Sequence, residues 1–361
     1  MHATATRDAR TGPSPGQSLS TTFSGVYAAA VAQRVTITDV ARAAGVSVST
    51  VSKVINSRDG VARETYSRVN SVIDDLGYEG SLVARSLRSH KTYVIGVLVA
   101  GFEPFSAEIL KGAATVLEET PYDLLAYTGA RRGGGVGWER RYLSRLSGTL
   151  IDAAIMVTPT VMDADSDIPV VAIDPHAGPL GLPTVDSDNF TGGVLATQHL
   201  LELGHTRIGF LAGRPDLESS RLREAGYRKA LADAGMPADE GLIRIGSYSR
   251  EESHAPAAEL LSLADRPTAI FAANDLSALG IIDVARQMDI EVPRDLSVVG
   301  FDDIPDSAQS TPPLTTVQQP LQRMGAEAVR LLLALLDGPE PEARHVRLPV
   351  SLVRRGSSAH L

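Results

Sequence analysis

The sequence predicts a small all-α domain followed by a larger α/β domain with two lobes, each built on a doubly wound parallel sheet. Two short helical patterns meet at Gly45, and from residue 93 onward short apolar strands alternate with amphipathic helices. Such alternation is typical of parallel sheets that are covered by helices on both faces. Eight strands can be recognised, which is too many for one compact unit and indicates two lobes.

The composition limits the class of protein. With 361 residues, the chain is long enough for two or three domains and a substantial core. It has no apolar run near the roughly 18 residues of a membrane span, and its N-terminus lacks the apolar segment of a secretory signal. The sequence contains no cysteine, which excludes disulfides and Cys-ligated metal sites. We expect a cytoplasmic protein without membrane contact, cofactor or metal.

The net charge of −9 is unevenly distributed. Residues 35–92 carry eight Lys and Arg against six Asp and Glu, so the acidic surplus falls on residues 93–361. A basic segment beside an acidic body suits a protein that touches phosphate at one end only. Residues 1–34 are small and polar without periodicity, and we interpret them as a disordered extension or as sequence upstream of the true start codon.

The first helical pair spans residues 35–56. Its first helix has apolar residues at i, i+3, i+4 and i+7, namely Ile37, Val40, Ala41 and Ala44. Thr38 is placed to cap this helix and Gly45 to end it. Ser47 can cap a second helix, which is expected to bury Val51, Val54 and Ile55. Its other side carries small or polar residues, namely Val48, Ser49, Thr50, Ser52, Lys53 and Asn56.

Two helices joined by a glycine turn, the second small and polar, are typical of a DNA-reading helix-turn-helix. Periodicity alone also allows an ordinary helical hairpin. Residues 63–77 predict a third helix that closes the core with Tyr66, Val69, Val72, Ile73 and Leu76. Residues 81–89 are too few for a stable isolated helix and could be a plain linker.

The pattern T-x-x-D-V-A-x-x-A-G-V-S-x-x-T-V-S-x-V-I-N, from Thr36 to Asn56, resembles the opening signature of the lactose-repressor (LacI/GalR) family of transcription factors. The resemblance continues through Leu76-Gly77-Tyr78 to Val83-Ala84-Arg85-Ser86-Leu87 and covers roughly residues 35–355. It implies a helix-turn-helix DNA-binding domain over 35–79, a hinge helix over 80–92, and an effector-binding and dimerisation domain over 93–361. The last would have the fold of periplasmic binding proteins.

The resemblance and the residue types together assign a DNA interface. Lys53 can donate to guanine and Val48 can pack on a thymine methyl group, with Ser49 between them on the recognition helix. Phosphate ligands are expected at Ser47, Thr50 and Asn56, and Thr36, Ser81 and Arg85 are added to the interface. The resemblance places Leu87 as the wedge that enters the minor groove. Glu79-Gly80-Ser81 stands where the family usually has a basic residue, Pro and Asn, which predicts weaker operator binding.

Strands of the larger domain are predicted over 93–99, 124–127, 153–158, 170–173, 207–212, 242–245, 269–273 and 296–301. Helices are predicted near 106–119, 138–147, 190–204, 219–235, 251–263, 275–287 and 320–336. The resemblance implies three crossovers between the lobes, near 187, 318 and 340. The first lobe would then hold residues 93–187 and 319–339, and the second residues 188–317 and 340–356.

Polar residues just beyond strand ends indicate a ligand site, because ligands of such folds lie at those ends. Asp174, Asn274 and Asp302 follow strands, and Arg223 lies in the stretch SSRLREAGY. An arginine fork with carboxylates or an amide can pair with adjacent hydroxyl groups. Alternatively, the Asp and Asn side chains only cap helices, which would explain Asp275. The resemblance places Arg223, Asn274 and Asp302 where sugar-binding members contact their ligand, and Asp174 fits less closely.

Phe105 could stack on a sugar or a base, or could belong to the core; Glu103 and the lone Trp138 are weaker candidates. No catalytic motif is present, so an enzyme is not expected. The sequence predicts a homodimeric repressor of carbohydrate-utilisation genes that binds double-stranded, pseudo-palindromic operator DNA and is released by a sugar. Two alternatives remain: the same fold with a purine or other non-sugar corepressor, and a solute-binding protein without DNA function.

Overall fold

In a computed structural model of the protein, the described residues are 35–55, 59–78, 91–129, 137–160, 166–179, 181–338 and 344–361. None of the helices in these ranges is long and apolar enough to cross a membrane. The chain divides into two units, residues 1–81 and 82–361. Residues 1–34 and residues 80–90 of the predicted hinge lie outside the described residues. So do four predicted DNA ligands, Asn56, Ser81, Arg85 and Leu87.

The first unit contains three short helices around a small core. They are α1 (Ile37–Ala44), α2 (Val48–Ile55) and α3 (Arg63–Leu76). Gly45 and Gly77 end α1 and α3 with φ of 65° and 58°, a left-handed conformation that glycine adopts without steric cost. The core consists of Val40, Ala41, Ala44, Val51, Val54 and Val69. The predicted helix-turn-helix is therefore present.

Two details of this unit differ from the sequence prediction. The cap of α1 is Thr36, not Thr38: the Asp39 amide donates to Thr36 Oγ1, and the Thr36 amide donates to Asp39 Oδ2 at 3.0 Å. Ile55, Tyr66 and Leu76, which were expected inside, are more than one-third exposed. Six side chains already fill the centre of so small a unit, and apolar positions further out stay in solvent.

The second unit is built on two six-stranded sheets. The first has the order β11-β5-β4-β3-β1-β2 and is entirely parallel. The second has the order β12-β10-β9-β8-β6-β7, and only its edge strand β12 is antiparallel. The strands are β1 (Val94–Val99), β2 (Asp123–Thr128), β3 (Ala153–Val157), β4 (Val170–Ile173), β5 (Thr184–Ser187), β6 (Ile208–Ala212), β7 (Ile243–Ile245), β8 (Ala269–Ala272), β9 (Ser297–Asp302), β10 (Thr315–Gln318), β11 (His345–Leu348) and β12 (Ser351–Val353).

Helices cover both faces of each sheet. In β1, Ile95, Val97 and Val99 face a core shared with two helices, whereas Val94 and Leu98 face the opposite core. Alternate residues of a strand point to opposite faces, so a strand buried on both sides is apolar throughout. The helices are α4 (Pro104–Leu117), α5 (Trp138–Leu146), α6 (Asn189–Glu202), α7 (Glu218–Asp233), α8 (His254–Leu261), α9 (Asp275–Gln287), α10 (Pro305–Gln309) and α11 (Leu321–Asp337).

The chain crosses between the lobes three times. The first crossing follows β5 at Asp188, and the second follows β10 at Gln319. The third was predicted near residue 340, which is wrong: β11 pairs with β5 in the first sheet, with His345 opposite Thr184. This crossing therefore lies between Leu348 and β12, and residues 344–348 belong to the first lobe. The strand HVRL has only two apolar residues, so the sequence pattern did not mark it.

Glycines allow the closest helix contact in each lobe. In the first lobe, a Cβ at Gly112 of α4 or at Gly325 of α11 would overlap the backbone of the facing helix. The second lobe uses the same device, because a Cβ at Gly193 of α6 or at Gly226 of α7 would also overlap backbone. Backbone cannot move aside as a side-chain tip can, so these positions require glycine.

Gly325→Ala should lower the stability of the protein by about 1–3 kcal/mol, because the added methyl group forces α4 and α11 apart. Equilibrium unfolding in urea measures the change. The matched control is Gly338→Ala, just beyond the same helix, where a Cβ would meet no atom within 4 Å. Equal losses in the two variants would contradict this explanation.

Candidate functional site

A cavity of about 800 Å³ lies between the two lobes of the second unit. It is lined by residues that follow β1, β3 and β4 in the first lobe and β6, β7, β8 and β9 in the second. This is the carboxyl edge of both parallel sheets, where ligands of such folds bind. All five residues predicted to contact an effector line the cavity: Phe105, Asp174, Arg223, Asn274 and Asp302.

Arg223 is held rigidly at the base of this cavity, with 3% of its surface exposed. Its Nε donates to Asn189 Oδ1 at 2.8 Å, and its Nη1 donates to the Ala273 carbonyl at 2.5 Å and to Asp302 Oδ1 at 3.5 Å. The guanidinium carbon lies 3.8 Å from the centre of the Phe301 ring, a cation–π contact. In the described part of the chain Nη2 has no acceptor, so it can donate to a ligand.

Two buried carboxyl groups flank this arginine. Asn189 Nδ2 donates to Asp174 Oδ1 at 3.4 Å, and Gln319 Nε2 donates to Asp302 Oδ1 at 2.7 Å. Burial raises the pKa of Asp174 to about 6, although Arg223 opposes the shift. Burial also raises the pKa of Asp302, again against the effect of Arg223. Near neutral pH these carboxyl groups can therefore gain or lose a proton when their hydrogen-bond partners change.

The capping alternative holds for Asn274 but not for Asp275. Asn274 is the cap of α9: its Oδ1 accepts from the Ser277 amide at 2.9 Å, and its Nδ2 donates to the Tyr248 carbonyl at 3.1 Å. Asp275 is fully buried and accepts from the backbone amide of Ile304 and from two hydroxyl groups. The capping explanation of Asp275 was therefore wrong, and Asp275 instead joins α9 to neighbouring segments of its own lobe.

Strained backbone is concentrated at the cavity. Among the described residues, eight residues other than glycine have positive φ, and five of these line the cavity: Thr158, Asp174, Ser247, Tyr248 and Asp302. L-residues rarely adopt this conformation, and the surrounding structure must hold them in it. Residues held in this way are typically found at ligand sites, and here they aim side chains at one space.

Sequence reasoning missed several polar residues in or beside the site, among them Asn189, Tyr248 and Gln319. Asn189 and Gln319 lie next to the first and second crossings, and Ser187 Oγ donates to Gln319 Oε1 between them. Polar residues at crossings follow no periodic pattern, so only the structure reveals them. Tyr248 follows β7 as Asp174 follows β4, so the rule of strand ends could have found it.

The aromatic candidates lie on the wall of the first lobe. Phe105 lines the cavity and also packs against the core of that lobe, so both of its predicted roles are compatible with its position. Trp138 is almost fully buried, its ring 5.8 Å from that of Tyr142, and it too faces the cavity. Glu103 is a further lining residue. The cavity lining therefore contains both charged groups and aromatic rings.

In the first unit, Val48, Ser49 and Lys53 are exposed on α2, as a DNA-reading surface requires. Ser47 Oγ accepts from the Thr50 amide at 3.1 Å and lies 2.8 Å from Thr50 Oγ1. Thr36 is likewise used in the cap of α1. These three hydroxyl residues therefore stabilise helix N-termini, where backbone N–H groups favour a phosphate group.

Comparisons with known proteins agree with this architecture. Residues 36–81 match the family "Bacterial regulatory proteins, lacI family", and residues 197–358 match a periplasmic binding protein-like domain. The HTH-type transcriptional repressor PurR of Photobacterium profundum is 36% identical over 334 residues, which are 89% of this chain and 98% of the relative.

Two solved structures are also similar. A dimer of the lac repressor bound to operator and the anti-inducer ONPF has a TM-score of 0.78 and 29% identity, and the match covers 91% of this chain and all of that one. The transcriptional regulator CelR in complex with cellobiose has a TM-score of 0.67 and 34% identity, over 90% and 100% of the two chains. The chain belongs to the lacI family of bacterial regulatory proteins and is a DNA-binding transcriptional regulator with an effector-binding domain.

Proposed function

We propose that this regulator represses carbohydrate-utilisation genes in the cytoplasm, binds its operator as a homodimer, and is released by a sugar in the cavity. The observation that carries the proposal is the grouping of Arg223 with Asp174 and Asp302 in one cavity, whose lining also contains aromatic side chains. A guanidinium beside carboxylates offers paired donors and acceptors for adjacent hydroxyl groups, and aromatic rings suit the apolar face of a sugar. The similarity to the CelR–cellobiose complex supports a sugar as the effector. The similarity to the operator-bound lac repressor dimer supports binding to DNA as a dimer.

In this account the sugar acts by its differential affinity for two arrangements of the lobes. One arrangement holds the two heads of the dimer at the spacing of a pseudo-palindromic operator, and the other separates them. Arg223 Nη2 would donate to a sugar oxygen, while Asp174 and Asp302 would accept from hydroxyl groups. In the head, Lys53 and Val48 would read base edges, and Ser47 and Thr50 would position the helix on phosphate.

Sugar affinity should rise about tenfold between pH 5 and pH 7. Asp174 has a pKa of about 6 in the free protein, so it is mostly protonated at pH 5. A sugar hydroxyl that donates to the ionised carboxylate lowers this pKa, and binding therefore releases a proton and is favoured by higher pH. Calorimetric titrations across this range measure the slope. Asp174→Asn, which cannot titrate at this position, should make the profile shallower and leave only the part that Asp302 contributes, and a flat wild-type profile would contradict the role of Asp174.

A reporter placed under the protein's own operator tests the sign of regulation. Deleting the regulator should raise expression without sugar, and adding the sugar to wild-type cells should give a similar rise. A ligand that lowers expression only when the regulator is present would instead make it a corepressed regulator. If deletion leaves expression unchanged under every condition, the proposed repressor function is wrong.

A further inference from the structure

The polar residues of the cavity form two separate sets. The inner set, defined as Asp174, Arg223, Asn274 and Asp302, is at least 90% buried. The outer set, defined as His176, Arg214 and Asp216, lies near solvent, and the Arg214 and Asp216 side chains are about half exposed. Phe105, Trp138 and Leu217 also line the cavity.

The volume exceeds what one sugar unit fills. It corresponds to about 27 water molecules at about 30 Å³ each, whereas a hexose has about 12 non-hydrogen atoms and a disaccharide about 23. A monosaccharide bound to the inner set would leave the outer part of the cavity to solvent. A ligand of two units would fill it and reach both sets.

The charges of the lining favour an uncharged ligand. Arg214 binds Asp216 through two hydrogen bonds, at 3.1 and 2.6 Å, and Arg250 binds Asp283 in the same way, at 2.6 and 3.0 Å. With Arg223 beside Asp302, each arginine of the described lining is paired with a carboxylate. A phosphate group would be repelled by the carboxylates already paired with these arginines, whereas an uncharged hydroxyl group can use the N–H and oxygen sites that remain without that repulsion.

The outer set lies where the two lobes touch. His176 follows β4 of the first lobe, and its Nδ1 is 3.3 Å from Asp216 Oδ2 in the second lobe. Beside this contact, the Glu218 amide donates to the His176 carbonyl at 2.9 Å. A ligand group bound here contacts both lobes, so its affinity depends on how the lobes are arranged.

We propose that His176, Arg214 and Asp216 form an outer subsite that binds the second unit of a neutral saccharide of at least two units. The proposal rests on the proposed sugar response and names its ligand class. The inner set holds the first unit, and the outer subsite distinguishes a disaccharide from its component monosaccharides. Hydrogen bonds to the charged groups of this subsite should strengthen disaccharide binding about tenfold or more.

Trp138 provides a built-in probe, because it is the sole tryptophan of the sequence and lines the cavity. The full-length protein is titrated with glucose, galactose, mannose and xylose, with disaccharides that contain them, with glucose 6-phosphate and with hypoxanthine. We expect at least one disaccharide to bind about tenfold more tightly than each of its component monosaccharides. Arg214→Ala and Asp216→Asn should lower the ratio of disaccharide to monosaccharide affinity about tenfold.

The matched control is Arg294→Ala, an exposed arginine that also pairs with a nearby aspartate but lies outside the cavity lining. It should leave the ratio unchanged. If a monosaccharide binds as tightly as the disaccharides that contain it, or the ratio survives both subsite variants, the outer subsite is disproved while the sugar response stands. If glucose 6-phosphate binds more tightly than the uncharged sugars, the proposal that the ligand is neutral is wrong. Binding of hypoxanthine alone, or of no sugar, would overturn the sugar response as well.

Discussion

Arg223→Ala should leave operator affinity unchanged and abolish release by the effector. The change removes a buried guanidinium that is positioned by Asn189, Ala273 and Phe301, and it leaves Asp174 and Asp302 without their positive neighbour. A hydrogen bond to a charged group contributes about 1.5–3 kcal/mol, so losing the one from Nη2 should weaken effector binding about 10- to 100-fold. The measurement is the effector concentration that releases labelled operator from the variant.

Two further variants separate ligand recognition from folding. Arg223→Lys keeps a positive charge but lacks the planar fork, so it should also release poorly while the fold is retained. The control is Arg228→Ala. Arg228 lies on the same helix and pairs with Glu224 and Glu240 at the surface, so this variant should release operator normally when the effector is added. Normal release by Arg223→Ala would show that the effector binds elsewhere.

Lys53→Ala should weaken operator binding by about 1–3 kcal/mol, or roughly 10- to 100-fold, and relax selectivity at one base pair. Lys53 is exposed on α2, the second helix of the helix-turn-helix, whose other face is fixed in the core by Val51 and Val54. A lysine there can reach guanine in the major groove. Binding to operators changed one base pair at a time locates the lost contact.

The control for Lys53 is Lys229→Ala, an exposed lysine of the second unit that pairs with Asp233. It removes the same charge and should leave operator affinity unchanged. The salt dependence then distinguishes two roles for Lys53. If Lys53→Ala weakens all DNA sequences equally and reduces the salt slope by about one, Lys53 contacts phosphate and its assignment as a base-reading residue is wrong.

Most of the strands that the sequence predicted are buried on both faces, such as AIFA in β8 and VVAI in β4, whereas β2 and β7 are partly exposed edge strands. The strands β5, β10, β11 and β12 were missed because they are short and carry polar residues; Thr184, Thr315 and Thr316 are fully buried within them. Tertiary contacts satisfy two of these hydroxyl groups: Thr316 donates to Asp275, and Thr315 accepts from the Arg355 amide. A single sequence does not reveal such partners.

The sequence predicted which residues line the site better than it predicted the hydrogen bonds between them. The rule that ligand residues follow parallel strands predicted that Asp174, Asn274 and Asp302 lie together, and all three line one cavity. Their role in ligand binding remains a prediction. The rule could not show that Gln319 donates to Asp302 and also accepts from Ser187. These contacts join residues more than 100 positions apart or across crossings, so neither local spacing nor periodicity encodes them.

The most direct test of the account is fluorescence-anisotropy binding of the full-length protein to its own upstream DNA at several salt concentrations, followed by addition of monosaccharides and disaccharides. We expect tight, sequence-selective binding that weakens steeply with salt and that one sugar relieves. This result would establish the DNA-reading head, the effector cavity and the sign of the response together. Selective binding that only strengthens with a ligand would contradict release by a sugar. Absence of selective binding under all conditions would contradict the assignment of α2 as the DNA-reading helix.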